Sequence, residues 1–205
     1  MLRLVSDVSL LDKGELTPAE FCGRFGTPAD WMVLGMLDNP FMNKAYSAPP
    51  ALLDPIEPDQ PIAGRDGVCR WFTFHNNEPL GSIRLQAAFD WLKTDKSSAQ
   101  IVCNVIAQAE TQAYMHWNWD DGATVYLNRS IIADHRQYPE RGHGLLYKDR
   151  YDFEEVLPVT LPKGESRLAI TSINSHGVWG LNLRFTDKDG WPIDGITFSL
   201  PKFTE

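Results

Sequence analysis

The chain has no apolar run approaching the ~18 residues that a membrane-crossing helix needs, so no such span is expected. It has only three cysteines, Cys22, Cys69 and Cys103, an odd number without a C-x-x-C pair. A disulfide framework and a paired-cysteine zinc site are therefore excluded, and the three are expected as small buried hydrophobes. There is no basic surplus. The formal net charge is −8, opposite to the surface that nucleic acid selects. The sequence contains no G-x-S-x-G elbow, no H-E-x-x-H and no phosphate-binding glycine loop, which removes the best-marked hydrolase, metalloprotease and nucleotide classes. Repeats, low-complexity tracts and an interdomain linker are also absent. The opening MLRLVSDVSLLDKGE has neither the apolar core nor the cleavage site of a signal peptide. A cytoplasmic location is expected from that, or an extracellular or periplasmic one for a chain trimmed of its leader or cut from a longer protein.

What remains is globular: 205 residues, 43% hydrophobic and 22% charged, with seven tryptophans and 14 prolines. The segment 113–132, AYMHWNWDDGATVYLNRSII, organises the rest. Ala113, Met115 and Trp117 alternate with Tyr114, His116 and Asn118, as in a half-buried strand. Trp119-Asp120-Asp121-Gly122 breaks the pattern, and Val125 and Leu127 restart it. Two strands folded back across an acidic corner are expected, with a second turn at Asn128-Arg129. Arg129 stands where an Asn-Gly turn would place glycine at positive φ.

Residues 1–30 read as an irregular extension. Thr17-Pro18-Ala19-Glu20 is a capping box, so a short helix over about 18–24 is expected, ended by Gly23 or Gly26. Residues 31–205 read as one domain. Strands are expected at 31–35, at Trp71, Phe72 and Phe74, at 83–89, at 101–107, at 153–161 with an edge position because of Pro158, and at 168–173, 179–185 and 196–200. The proline-rich stretch 37–67 reads as an ordered crossing without regular structure. Asp187-Lys188-Asp189-Gly190 reads as a hairpin turn, and 134–151 as a long loop rich in His, Arg and Tyr. Short strands with turns every 8–12 residues indicate an all-β sandwich.

The ordered series Trp31-x-x-x-Gly35, Trp71, Asp120-Asp121-Gly122-x-x-Val125-x-Leu127-Asn128, Val159-x-Leu161-x-x-Gly164-Glu165-x-x-Leu168, Gly177-x-Trp179-Gly180 and Asp187-x-Asp189-Gly190 resembles the galactose-binding-like jelly-roll modules attached to bacterial carbohydrate-active enzymes. Tyr126, Arg129 and Ser166 depart from the usual Trp, Gly and Asn of that pattern. The resemblance implies a jelly-roll β-sandwich and a non-catalytic carbohydrate-associated role. Its partners would be a glycan or polysaccharide and a catalytic domain in the same chain or complex. Related protective-antigen-type lectin domains use adjacent aspartates to hold Ca²⁺, which makes Asp120 and Asp121 the implied calcium ligands. Adjacent carboxylates are hard-oxygen donors; the competing reading is a hydrogen-bonded turn without metal. For a sugar site the candidates are Trp119 and Trp191 as stacking surfaces and Arg136, Tyr138, His143 and Tyr147 from the long loop as further platform and donors. Two rival functions stand beside this one. The first is a ligand-free structural sandwich. The second is a small lyase or hydrolase acting on polysaccharide through the 134–151 loop, with His135 and His143, together with Glu140 or Tyr147, as acid and base.

Overall fold

The computed structural model describes residues 2–38, 55–76, 78, 81–89, 93–135 and 155–202, with main chain alone at 2–5. Among the described residues three helices, α1 (Leu2–Asp12), α2 (Pro18–Phe25) and the four-residue α3 (Leu85–Ala88), accompany thirteen strands. The strands are β1 (Asp30–Asp38), β2 (Ile62–Gly64), β3 (Gly67–Cys69), β4 (Phe72–His75), β5 (Ser82–Arg84), β6 (Ser97–Ala107), β7 (Thr111–Trp119), β8 (Gly122–Leu127), β9 (Ser130–Asp134), β10 (Glu155–Leu161), β11 (Gly164–Asn174), β12 (Gly180–Thr186) and β13 (Ile196–Ser199).

A seven-stranded sheet runs β4-β1-β6-β11-β8-β9, with β13 sharing with β1 the same edge of β6. A four-stranded sheet runs β10-β7-β12-β5. Their inner faces meet in one core. Ile101, Cys103, Val125, Leu127, Leu168 and Ile170 come from the larger sheet, and Met115, Trp117, Leu181, Leu183 and Phe185 from the smaller. The chain is thus an all-β sandwich, as its alternation indicates. Pro158 lies on β10, the edge of its sheet, where its missing N–H is tolerated.

From β5 onward almost every connection crosses from one sheet to the other; only β8 to β9 turns back within its own. This corrects two expectations. The segments flanking Asp120-Asp121 do not pair with each other: β7 belongs to the small sheet and β8 to the large one. Likewise 187–190 joins β12 to β13 across the sandwich and is not a hairpin. A tight acidic or glycine turn serves either purpose, because it supplies backbone geometry and not a pairing partner.

Four local differences also stand out. Residues 2–12 form α1, tied to α2 by Arg24 and Asp7 at 2.8 Å, a tertiary bond that local reading of an irregular extension could not supply. Residues 83–89 are a strand for two residues only; β5 has three partners on β12, then the chain turns into α3. Within the proline-rich stretch, β2 and β3 pair as a small hairpin. Finally, the positive φ of the 128–129 turn, +55°, belongs to Asn128 and not to Arg129. Asn128 holds it by accepting the Arg167 N–H through its side chain at 2.9 Å.

The outer face of the large sheet carries a second apolar layer. Met32, Leu34, Val102, Tyr126 and Ala169 are covered there by Ile56 and Trp71. The prolines around Ile56 suit this role, because a crossing chain that offers few backbone donors can lie on a sheet face. The helix α2 keeps its full capping box, and Gly26 ends it at φ +86°. Only glycine fits there: a Cβ would lie 2.2 Å from the Phe185 carbonyl oxygen. Phe185 in turn donates its N–H to the Gly26 carbonyl at 2.8 Å, clamping α2 to the end of β12.

Candidate functional site

The acidic corner lies at the start of β12, where Asp120 donates its N–H to the Gly180 carbonyl. Asp121 takes φ +61°, and its Oδ2 accepts the N–H groups of Ser175 and His176 at 2.5 and 3.3 Å. It thereby ties the β7–β8 crossing to the β11–β12 crossing. Asp120 is 7% exposed. Burial, and then the charge of Asp121, push its carboxyl up to about 7, while the Asp121 N–H pulls the other way. A hard cation would fit this pair in charge. Among the described residues no cluster of three or more His, Cys, Asp or Glu forms a metal site.

Trp119 is 1% exposed and faces the core, not solvent. Its ring lies 4.2 Å from that of Trp117 and 4.2 Å from that of His135, nearly parallel to the latter. It therefore cannot present a stacking face to a sugar in this fold. The reason is the sheet crossing: the strand continues inward-facing through Trp119 before it turns. His135 bonds Glu155 through Nε2 at 2.8 Å, and the same carboxylate oxygen accepts the Trp117 indole N–H at 2.9 Å. Arg136, Tyr138, Glu140, His143 and Tyr147 lie outside the described residues.

Trp191 is a different case: it is 50% exposed. Its turn is closed by Asp187, whose carboxylate Oδ1 accepts the N–H groups of Asp189 and Trp191, both at 2.9 Å. The Asp187 N–H also reaches the Trp191 carbonyl at 2.7 Å. Gly190 supplies φ +84°, and Arg184, its guanidinium 4.6 Å above the Phe25 ring, donates to the Gly190 carbonyl. The loop is therefore fixed on both sides while its indole faces water, and the ordering cost of presenting that ring is already met in the fold.

Immediately after Trp191 the chain forms one wall of a cleft of about 420 Å³. Residues 192–199 make that wall, and α2 with residues 27–30 makes the other. The volume lies within the range of small-ligand sites. Its charged groups are Glu20, Arg24, Asp30 and Asp194. Arg24 is bonded to Asp7, and Asp30 to His75 Nδ1 at 2.8 Å. Two hydrogen bonds from Thr17, backbone first and hydroxyl second, hold Glu20 below the usual carboxylate range.

Among the described residues, the structure does not unite the predicted site residues. Asp120 and Trp191 stand near opposite ends of β12, a seven-residue strand, hence roughly 20 Å apart at ~3.4 Å per residue. Asp187, Arg184 and the α2 wall are the elements that sequence reading missed. The Asp-x-Asp-Gly-Trp-Pro series carried a usable signal, since an Asp that caps its own turn fixes whatever follows. The α2 wall carried none.

No known protein family matches the sequence, and no curated protein matches it. Among solved structures, the selenomethionine-labelled β-glucosidase from Kluyveromyces marxianus shares 16% identity over 63% of this chain, with a TM-score of 0.46. The same enzyme in complex with glucose shares 15% over 80%, with a TM-score of 0.44. This chain spans 16% of the length of each. The PA14 domain of the antifreeze protein MpAFP shares 13% identity over 55% of this chain and 59% of that domain, with a TM-score of 0.31. Likeness of this degree assigns this chain neither a family nor an activity.

Proposed function

We propose that the chain is a carbohydrate-binding module, non-catalytic in itself, that stacks a sugar ring on Trp191 and receives the adjoining unit in the cleft behind it. The observation that carries this reading is the indole of Trp191, half exposed yet held in a turn closed by Asp187. An exposed apolar ring gains from covering, and a sugar's C–H face covers it while leaving hydroxyls free for polar partners. Titration of neutral oligosaccharides, followed by calorimetry, tests it. Trp191→Ala should weaken binding at least tenfold, equivalent to about 1.4 kcal/mol, and leave the unfolding midpoint nearly unchanged. Equal binding by the variant, or no binding by the parent chain, refutes it.

A second site reading is favoured by the acidic corner. We assign Asp120 and Asp121 as the pair that would hold Ca²⁺, since a cation there would relieve the charge that burial concentrates on Asp120. It would act on the stability of the two crossings and not on the Trp191 surface, given their separation. A Ca²⁺-dependent rise in unfolding temperature, reversed by chelator and absent in Asp121→Asn, is the expected sign.

A further inference from the structure

We infer that β13 and α2 form a groove that takes one extended segment of a basic partner peptide as an additional strand. This goes beyond the carbohydrate-binding reading and stands on main-chain geometry. β13 shares an edge of β6 with β1. β1 carries β4 on its far side, but among the described residues no strand pairs with the far side of β13. The Gly195 carbonyl accepts the Gln108 N–H at 3.0 Å. Ile196, Thr197, Phe198 and Ser199 then stand opposite Ala107, Ile106, Val105 and Asn104. Bonded and non-bonded pairs alternate along an antiparallel ladder. Thr197 and Ser199 therefore bond β6, and the N–H and C=O groups of Ile196 and Phe198 point the other way. Among the described residues no further backbone bond reaches either of them. Ile196 to Ser199 all line the cleft although their side chains alternate between the two faces, and no β6 residue lines it. The cleft thus lies against the free edge of β13. Such a row of open main-chain groups is the template for strand addition, in which backbone bonds supply affinity and alternate side chains supply specificity.

The opposite wall suits the same occupant. Gly23 lines the cleft from inside α2, and a Cβ there would meet nothing within 4 Å. Glycine weakens a helix relative to alanine, and here no neighbour in the fold excludes a side chain. Its effect is a bare wall, which an approaching backbone needs. The charge of the walls decides between partners. Glu20, Asp30 and Asp194 line the cleft, and the one lining cation, Arg24, is committed to Asp7 at 2.8 Å. A lysine-bearing strand is favoured there over an acidic one.

The probe is the blocked peptide Lys-Val-Lys-Val-Lys, titrated against the parent chain by NMR, beside Glu-Val-Glu-Val-Glu. Two N-methylated forms of the lysine peptide, one methylated on both valines and one on the alternating lysines, complete the set. Binding should slow hydrogen exchange at the Ile196 and Phe198 amides. One methylated form should bind at least tenfold more weakly and the other like the parent peptide, because only alternate residues of an added strand face β13. The acidic peptide should bind at least tenfold more weakly. Gly23→Gln should weaken binding tenfold or more while its unfolding midpoint stays equal or rises. Trp191→Ala should leave peptide binding intact, since Trp191 is not among the lining residues; this separates the inference from the carbohydrate reading, which that variant abolishes. The inference fails if no binding appears at ~1 mM peptide, if both methylated forms behave alike, or if the acidic peptide binds equally. It also fails if the two amides are protected without peptide in a concentration-dependent dimer, which would make a second copy the occupant.

Discussion

Replacing Asp120 by Asn tests the electrostatics of the acidic corner directly. Asn keeps the shape and the capacity to accept the Asp121 N–H, but removes a charge that burial and Asp121 both disfavour. The carboxyl rises from its ordinary 3.8 to about 7. At ~1.36 kcal/mol per unit this amounts to about 4 kcal/mol. The sign follows from proton binding. Between pH 4 and 7 the folded chain holds the Asp120 proton while the unfolded chain has lost it, so stability falls as pH rises through that window. It is highest below pH 4 and levels off above pH 7. Urea unfolding of the parent and of Asp120→Asn at pH 4, 5.5, 7 and 8 measures the difference curve, in which titrating groups remote from the acidic corner cancel. The variant should match the parent near pH 4 and exceed it by up to about 4 kcal/mol at pH 8. Millimolar Ca²⁺ should narrow the gap from the parent's side if the corner holds the ion, by about 2.7 kcal/mol at a hundredfold excess over Kd. A variant less stable at pH 8 than the parent, or a difference curve flat between pH 4 and 7, would show that the Asp120 charge is compensated and the reasoning wrong.

Three further outcomes follow from the packing. Trp179 is fully buried and donates its indole N–H to Ser172 Oγ at 2.9 Å; Trp179→Ala should cost about 3–5 kcal/mol in chemical unfolding. Gly26→Ala would drive a Cβ against the Phe185 carbonyl at positive φ, so a loss well above 1 kcal/mol is expected, with weaker glycan binding from the displaced α2 wall. Arg129→Gly should not stabilise the chain, because Arg129 carries no positive φ; Asn128→Ala should destabilise it by about 1–3 kcal/mol through strain and the orphaned Arg167 N–H.

The sequence by itself determined the class of fold. Alternation along β6, β7, β11 and β12 is a property of the strand repeat, and the capping box at Thr17 and the glycine turns at 164 and 190 are set by neighbours a few residues away. Trp117, Leu168, Leu181 and their partners were therefore legible as core. What the sequence left open was which sheet each strand joins. Asp120-Asp121-Gly122 and Asp187-Lys188-Asp189-Gly190 look like hairpin turns, and locally they are good ones. That they cross the sandwich depends on β8 finding β11 and β13 finding β6, partners dozens of residues away in the chain. That choice decides the site. The crossing turns Trp119 inward against Trp117 and His135, and lifts the Asp120 carboxyl by enclosing it beside Asp121. At the other end of β12, the crossing after Asp187 leaves Trp191 in water beside a cleft whose second wall, α2, comes from the far end of the sequence. Periodicity records which face of a strand a residue occupies. What stands opposite that face is fixed only when distant segments pack.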